Sequence, residues 1–110
     1  MISTIANDFD ISFVEYAPQF SAICSVGNAP FSGIIKITYK PLDKLLEFES
    51  FEKWLFTLSN KRTTIEGLAD FIFNELCDVL GSNITLTVRV EATTIVHAPV
   101  SATVERKKHA

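Results

Sequence analysis

Two cysteines and two histidines are among the side chains of this 110-residue chain that could do covalent or metal chemistry. Cys24 and Cys77 fall in different predicted elements, and neither belongs to a Cys-x-x-Cys pair or has a histidine at metal-ligand spacing. His97 and His109 are too scattered for a metal site, and His97, close to Pro99, is interpreted as an ordinary loop residue. We therefore predict no disulfide framework and no metal. On residue type alone, each cysteine is a small buried apolar residue.

Glu66 is a carboxylate with two interpretations. It follows Thr63 by three residues, which is the spacing of a capping box at the start of a helix. A carboxylate can also accept hydrogen bonds from a ligand. The residues alone favour the capping interpretation.

The composition is that of one small domain with an acidic balance. Hydrophobic residues make up 47% of the chain, and Lys+Arg 10 against Asp+Glu 13 gives a formal charge of -3. A surface without basic excess excludes nucleic acid as an expected direct partner. No apolar run is long enough for a membrane span, so we expect a cytoplasmic protein without a membrane partner. We predict a single domain over residues 1–110, with an ordered core at about 9–105 and a flexible tail at 106–110.

The first third of the chain predicts a β-hairpin. Residues 9–17 mix β-branched and aromatic types, Pro18 interrupts them, and residues 20–26 resume the strand. Residues 33–39 alternate in the manner of a second strand, which Pro41 ends. The two strands are expected to pair.

Two helices follow in the predicted order of elements. Apolar residues spaced by three and four favour a first helix over about 46–58. The same spacing from Ile65 to Leu80 predicts a second helix, with Thr63 and Glu66 at its start and Gly81 at its end.

The last third predicts two more strands and completes the topology. Residues 84–90 alternate strictly, and residues 100–104 return antiparallel after a link at 93–98. The order ββααββ predicts an α+β fold, a four-stranded antiparallel sheet with both helices on one face and a partly apolar opposite face. Long open edges would remain, so we expect subunits to join edge to edge.

This order resembles the T-fold (tunnelling fold), and particular residues resemble the QueF-type 7-cyano-7-deazaguanine nitrile reductases. Residues 20–26, Phe-Ser-Ala-Ile-Cys-Ser-Val, are similar to the family stretch Phe-Thr-Ser-Leu-Cys-Pro-Val. The similarity continues without a gap from about residue 16 to residue 81. The further matching positions are Pro30, Gly33, Tyr39, Pro41, Lys44, Leu45, Glu47, Ser50, Leu55, Phe56, Asn60 and Glu66.

The resemblance implies a site and a reaction. Cys24 takes the place of the nucleophile that adds to a nitrile carbon and forms a thioimide, which NADPH reduces to the amine. Glu66 takes the place of the carboxylate that binds the deazaguanine ring, and Glu47, Ser50 and Trp54 fall in register with substrate-binding places. The resemblance also implies a homo-oligomeric β-barrel with ligands bound where subunits meet.

Four departures from the family pattern bear on catalysis. Phe31 occupies the place of the Asp that donates a proton, and Ile65 occupies the place of the His before the glutamate. Glu49 and Glu52 stand where lysines meet the NADPH phosphates, so NADPH is expected to bind poorly in the usual way. The family's Arg-Gly-Gly turn is replaced by residues 93–95, Thr-Thr-Ile.

Three interpretations of the function stay open. The protein acts on 7-cyano-7-deazaguanine through Cys24 and Glu66, as a reductase or as an amidine-forming relative that needs no cofactor and serves queuosine-type nucleoside modification. Alternatively it binds a purine-like ligand without turnover, alone or as one subunit of a mixed assembly. Lastly, it keeps only the fold and serves as a structural module.

Overall fold

The computed structural model describes residues 1–105, which form eight strands and two helices. The strands are β1 (Thr4–Ala6), β2 (Val14–Tyr16), β3 (Gln19–Cys24), β4 (Pro30–Lys40), β5 (Lys44–Leu46), β6 (Arg62–Thr63), β7 (Thr85–Thr94) and β8 (Val100–Val104). The helices are α1 (Phe48–Phe56) and α2 (Ile65–Leu80). The predicted tail at 106–110 lies outside the described residues. Within them, neither helix is long and apolar enough to span a membrane.

The main sheet has the predicted antiparallel core. Its strand order is β6-β3-β4-β7-β8, and β2 also pairs with β4. β2 and β3 lie along the same side of β4, and the N–H of Ile35 donates to the carbonyl of Pro18 between them at 2.9 Å. Thus β2 and β3 act as one strand interrupted by Pro18. The short β6 adds to β3 in parallel.

Both helices cover one face of this sheet. The register pairs Phe20 with Gly33 and Gly33 with Ala92, so Phe20, Ile35 and Val90 point to the same side. These side chains join those of both helices in one buried core. The opposite face is mainly polar, since Thr, Ser, Lys, Arg and Glu dominate there. The expected apolar character of that face is limited to residues such as Ile23 and Ile34, which are half-buried.

α1 is shorter than its apolar spacing predicts. The carboxylate of Glu47 accepts hydrogen bonds from the N–H groups of Ser50 and Glu49, so the helix begins at Phe48. Leu46 instead belongs to β5, which pairs with β1 in a separate two-stranded sheet. The predictions gave neither β1 nor β5, because each is only three residues long and the pairing joins distant parts of the chain.

α2 has its predicted extent but a different cap. Thr64, not Thr63, is the N-cap, and its hydroxyl accepts from the N–H of Gly67 at 3.0 Å. The predicted capping box between Thr63 and Glu66 is therefore wrong, since Glu66 stands one position too early for that role. At the other end Gly81 has a φ of 127°, which favours glycine.

The strand predicted at 9–17 forms only at Val14–Tyr16. Val14 pairs with Tyr39 near the end of β4, and Pro41 lies just beyond that end. Residues 9–13 therefore have no strand beside them, and Phe9 and Phe13 are exposed.

β4 and β7 approach each other closely near the end of the sheet that carries Cys24. A Cβ on Gly33 would lie 1.8 Å from the main-chain oxygen of Glu91, so no side chain fits there. The register shifts between Ser32 and Gly33 at the same point. Such a bulge increases the local twist of both strands.

Candidate functional site

Cys24 is held by a tight loop between β3 and β4. Its N–H donates to the carbonyl of Ala29 at 2.8 Å, and its own carbonyl accepts from the N–H of Asn28 at 2.9 Å. Asn28 adopts a φ of 59°, a left-handed conformation that asparagine tolerates well. The guanidinium of Arg62 donates to the side-chain oxygen of Asn28 and ties the loop to β6. The backbone around the sulfur is thus fixed from two sides.

Main-chain N–H groups of this loop stabilise the thiolate of Cys24. Hydrogen bonds from Gly27 and then Val26 lower the pKa of the Cys24 thiol, and partial burial opposes them. The thiol is half-buried and is not part of a disulfide. A reachable sulfur with a lowered pKa is suited to nucleophilic attack.

A short parallel pairing brings the start of α2 to Cys24. Cys24 lies opposite Thr63 of β6, and the N–H of Ser25 donates to the carbonyl of Thr63 at 3.1 Å. The helix begins just after Thr64, so Glu66 stands in its first turn with an exposed side chain. Since Thr64 and Gly67 make the cap, Glu66 has no part in that hydrogen bond.

Cys24 and Glu66 line one pocket of about 410 Å³. It lies where the β3–β4 loop, the start of α2 and the β7–β8 link meet. Its apolar wall consists of Val26, Ala29, Pro30, Phe31, Ile65, Ile95, Val96 and Val100. A volume of this order and a few polar groups in an apolar wall are usual for small-molecule sites. Among residues 1–105, no group of three or more His, Cys, Asp or Glu side chains is arranged to hold a metal ion.

Two apolar residues occupy the places where the family pattern has an acid and a histidine. Phe31 is 3% exposed and packs edge-on against Phe20, with ring centroids 5.8 Å apart. Ile65 is buried, and both Phe31 and Ile65 line the pocket. Neither position can supply a proton.

His97 lines the same pocket from the β7–β8 link. Its Nδ1 lies 3.0 Å from the carbonyl oxygen of Ala98. The sequence interpretation treated His97 as an ordinary loop residue and did not anticipate this position. The strand order could have predicted this position. β3 and β7 are both antiparallel to β4, so both end at the same edge of the sheet, and the residues that follow them lie near each other.

The three other residues predicted to bind substrate lie around α1 and are not part of the described pocket lining. Both carboxylate oxygens of Glu47 accept main-chain hydrogen bonds at 2.9 Å, and the Ser50 hydroxyl donates to the Glu47 carbonyl. Trp54 stacks on Phe71 with ring centroids 5.8 Å apart. Their contact with a ligand stays a prediction.

The α1 surface carries negative charge where the family pattern has the lysines that meet the NADPH phosphates. Glu49 and Glu52 are exposed there, and Lys53 is paired with Glu49 at 3.9 Å. Glu52 accepts a hydrogen bond from the hydroxyl of Tyr16 at 2.5 Å. Burial, followed by this hydrogen bond, raises the pKa of Tyr16. Two carboxylates would repel a phosphate at the place where the family pattern has cations.

Several curated proteins with similar sequences share the name of one enzyme. The NADPH-dependent 7-cyano-7-deazaguanine reductase of Oceanobacillus iheyensis is 30% identical over 76 residues, which cover 69% of this chain and 45% of the relative. The enzyme of the same name from Exiguobacterium sibiricum is 31% identical over 74 residues, covering 67% and 44%. The enzyme of the same name from Helicobacter pylori is 32% identical over 62 residues, which cover 56% of this chain and 42% of the relative. The chain thus spans less than half the length of these curated relatives. No protein-family model matches the chain.

A solved structure supports the fold independently of those relatives. The crystal structure of the archaeosine synthase QueF-like in the apo form matches with a TM-score of 0.80, covering 93% of this chain and all of that one. At 17% identity this match shows the fold alone. The antiparallel sheet, with both helices on one face, is that of a T-fold protein. The reductase relatives identify the chain as a divergent member of the QueF-type family, and the solved structure agrees with them in fold.

Proposed function

We propose that this protein binds 7-cyano-7-deazaguanine, or a closely related guanine-like nitrile, and captures it on Cys24 as a covalent thioimide. The observation that carries the proposal is one apolar pocket lined by both a thiol of lowered pKa and the carboxylate of Glu66. The names of the curated relatives supply the substrate class. Such a reaction would serve queuosine-type nucleoside modification in the cytoplasm.

The proposed capture step is an addition in which nothing is oxidised or reduced, so it needs no cofactor. The Cys24 sulfur forms a bond to the nitrile carbon, one π bond of the nitrile breaks, and the nitrogen takes the proton that the thiol has lost. Glu66 accepts hydrogen bonds from the ring N–H and the exocyclic amine of the guanine-like edge. A two-point contact of this kind discriminates against rings that lack the donors.

The fate of the thioimide follows from the charge on α1. Because Glu49 and Glu52 disfavour NADPH phosphates, the surface favours a conversion that needs no reductant. Addition of ammonia to the thioimide carbon, with release of the Cys24 thiol and formation of an amidine, is such a conversion.

We also propose that the working form is a homo-oligomer. β8 and the strand formed by β2 and β3 lie at the two sides of the main sheet among the described residues, and β6 covers only the end of β3. Open edges of this kind pair readily with a second copy. Such an assembly would close the sheet into a barrel and bring a second chain close to the pocket.

A second candidate function is binding without turnover. The burial of Phe31 in the pocket wall favours it, because the family pattern has its proton donor at that place. A positioned acid contributes about a hundredfold or more to such a step.

Titration calorimetry tests the binding site. We expect wild-type protein to bind 7-cyano-7-deazaguanine, and Glu66→Gln to bind it about tenfold or more weakly, because charged hydrogen bonds to the ligand are lost. Asp70→Asn removes an exposed carboxylate one turn further along α2 and outside the pocket, so it should bind like wild type. Equal affinity of Glu66→Gln and wild type would overturn the proposed site.

Denaturation of the complex distinguishes the two candidate functions. Ligand that remains on wild-type protein after denaturation supports capture, and ligand that is released completely supports binding without turnover.

A further inference from the structure

Capture of a nitrile requires a proton at the nitrile nitrogen, and the pocket must supply it. As the sulfur adds, negative charge develops on that nitrogen and the step is slow unless a positioned acid neutralises it. Phe31 and Ile65 replace the acid and the histidine of the family pattern with apolar side chains. Within this chain, another proton source has to come from the remaining pocket-lining residues.

Few of the described pocket-lining side chains carry a proton suited to this step. The Thr64 hydroxyl caps α2 by accepting from Gly67, and the Thr63 hydroxyl donates to the carbonyl of Thr64 at 3.0 Å. Glu66 is the carboxylate assigned to the guanine-like edge. His97 remains, and an imidazole gains and loses protons near neutral pH more readily than a hydroxyl.

The hydrogen bond of His97 determines which ring nitrogen can exchange a proton. A carbonyl oxygen can only accept, so the 3.0 Å contact between Nδ1 and the oxygen of Ala98 favours the tautomer in which Nδ1 carries the hydrogen. Nε2 is then the nitrogen that holds a lone pair in the neutral ring and a proton in the imidazolium. An imidazole held in one tautomer by its second nitrogen is the usual arrangement for proton transfer.

We infer that His97 is the general acid of nitrile capture, passing a proton from Nε2 to the nitrile nitrogen as Cys24 attacks the carbon. This inference rests on the proposed function and adds a residue to it. The proton that leaves the Cys24 thiol is taken up by His97 and delivered to the substrate. The sum is one thiol and one nitrile giving one thioimide, with His97 returned to its starting state.

Two titratable side chains share the described pocket lining with His97. Cys24 faces it from the end of β3 and Glu66 from α2. Capture needs the thiolate and the imidazolium at once, so the rate should rise and then fall with pH. Without His97, the fall on the alkaline side should disappear.

The test measures the rate of capture of 7-cyano-7-deazaguanine by intact mass across a range of pH, with affinity for 7-deazaguanine, which lacks the nitrile, as a check that the pocket is intact. His97→Gln should capture about a hundredfold more slowly than wild type, lose the alkaline limb and bind 7-deazaguanine normally. His97→Ala should regain part of the rate in added imidazole. Ser101→Ala, an exposed residue next to Val100 of the pocket wall and itself outside the pocket lining, should match wild type.

Two results would overturn this inference, and they differ in whether the proposed function survives. If wild type and His97→Gln capture the nitrile at the same rate and with the same pH profile, His97 is not the acid and the proposed function stands. If wild type captures no nitrile at any pH, the proposed function fails and the inference fails with it.

Discussion

At the scale of single residues, the reactivity of Cys24 depends on main-chain groups of its own loop. Gly27 is the larger contributor to the lowered thiol pKa, and a Cβ at this position would meet nothing within 4 Å. Two substitutions of Gly27 can therefore separate the effect of losing the N–H donor from the effect of adding a side chain. Gly27→Ala keeps the N–H, whereas Gly27→Pro removes it.

We expect Gly27→Pro to raise the pKa of the Cys24 thiol toward the ordinary cysteine value. The hydrogen bond favours the charged form, so its removal shifts thiolate formation to higher pH. The measurement is the rate of alkylation by iodoacetamide against pH, in a Cys77→Ser background. The midpoint should be highest for Gly27→Pro and lowest for wild type and Gly27→Ala together. A wild-type midpoint at or above that of an unstructured cysteine peptide would contradict this account of the loop.

At the residue scale, the resemblance indicated which side chains lie together, whereas their roles toward a ligand stay predictions. Cys24 and Glu66 were singled out, and they do line one pocket. The N-cap was placed one residue early because Thr63 and Thr64 are both good caps, and only the parallel pairing of Thr63 with Cys24 decides between them. His97 was missed because its proximity to Cys24 comes from strand order, which is not a property of the residues around it.

At the scale of elements, the position of α1 depends on one carboxylate. The pKa of Glu47 is lowered chiefly by the N–H of Ser50 and then by that of Glu49. A depressed folded-state pKa stabilises the protein above the ordinary glutamate pKa, and this contribution is lost as pH falls through the lowered value. The sequence indicated a helix here but not this cap, so the predicted start was two residues early.

We expect Glu47→Ala to melt below wild type at neutral pH, since the first N–H groups of α1 lose their acceptor. The difference should shrink as pH falls through the acid range, because the wild-type carboxylate is then protonated. Thermal unfolding followed by circular dichroism at several pH values measures both effects. Glu49→Ala, whose exposed side chain is paired with Lys53 one turn further along α1, is the control and should change stability less. A difference between Glu47→Ala and wild type that is constant with pH would argue against the cap.

Strand extents show what periodicity can and cannot predict. Alternation identified β8 at its observed bounds, and it identified β7 although that strand continues four residues beyond the predicted 84–90. In β7 alternate residues are buried in the core, and in β8 Ala102 and Val104 pack against it. It failed at residues 9–13, where mixed apolar residues have no partner strand beyond the end of β4. Pairing depends on what lies opposite, and a short segment does not contain that information.

At the scale of the whole molecule, the chain keeps the T-fold, whereas α1 and the pocket wall depart from the family pattern. The ββααββ order, the register of β4 with β7 and the single core agree with one another and with the predictions. The acidic α1 and the apolar Phe31 depart from the family pattern without disturbing that core. The fold could be predicted because the pattern of buried apolar residues is visible in the sequence. The chemistry of the site depends on a few residues whose neighbours come from distant segments of the chain.

Mass spectrometry of the intact protein after incubation with 7-cyano-7-deazaguanine tests the central claim most directly. We predict that wild type and Cys77→Ser gain the mass of one substrate molecule, that peptide mapping places it on Cys24, and that Cys24→Ser gains nothing. Wild-type protein of unchanged mass, or an adduct that persists in Cys24→Ser, would contradict the claim that Cys24 captures a nitrile in this pocket.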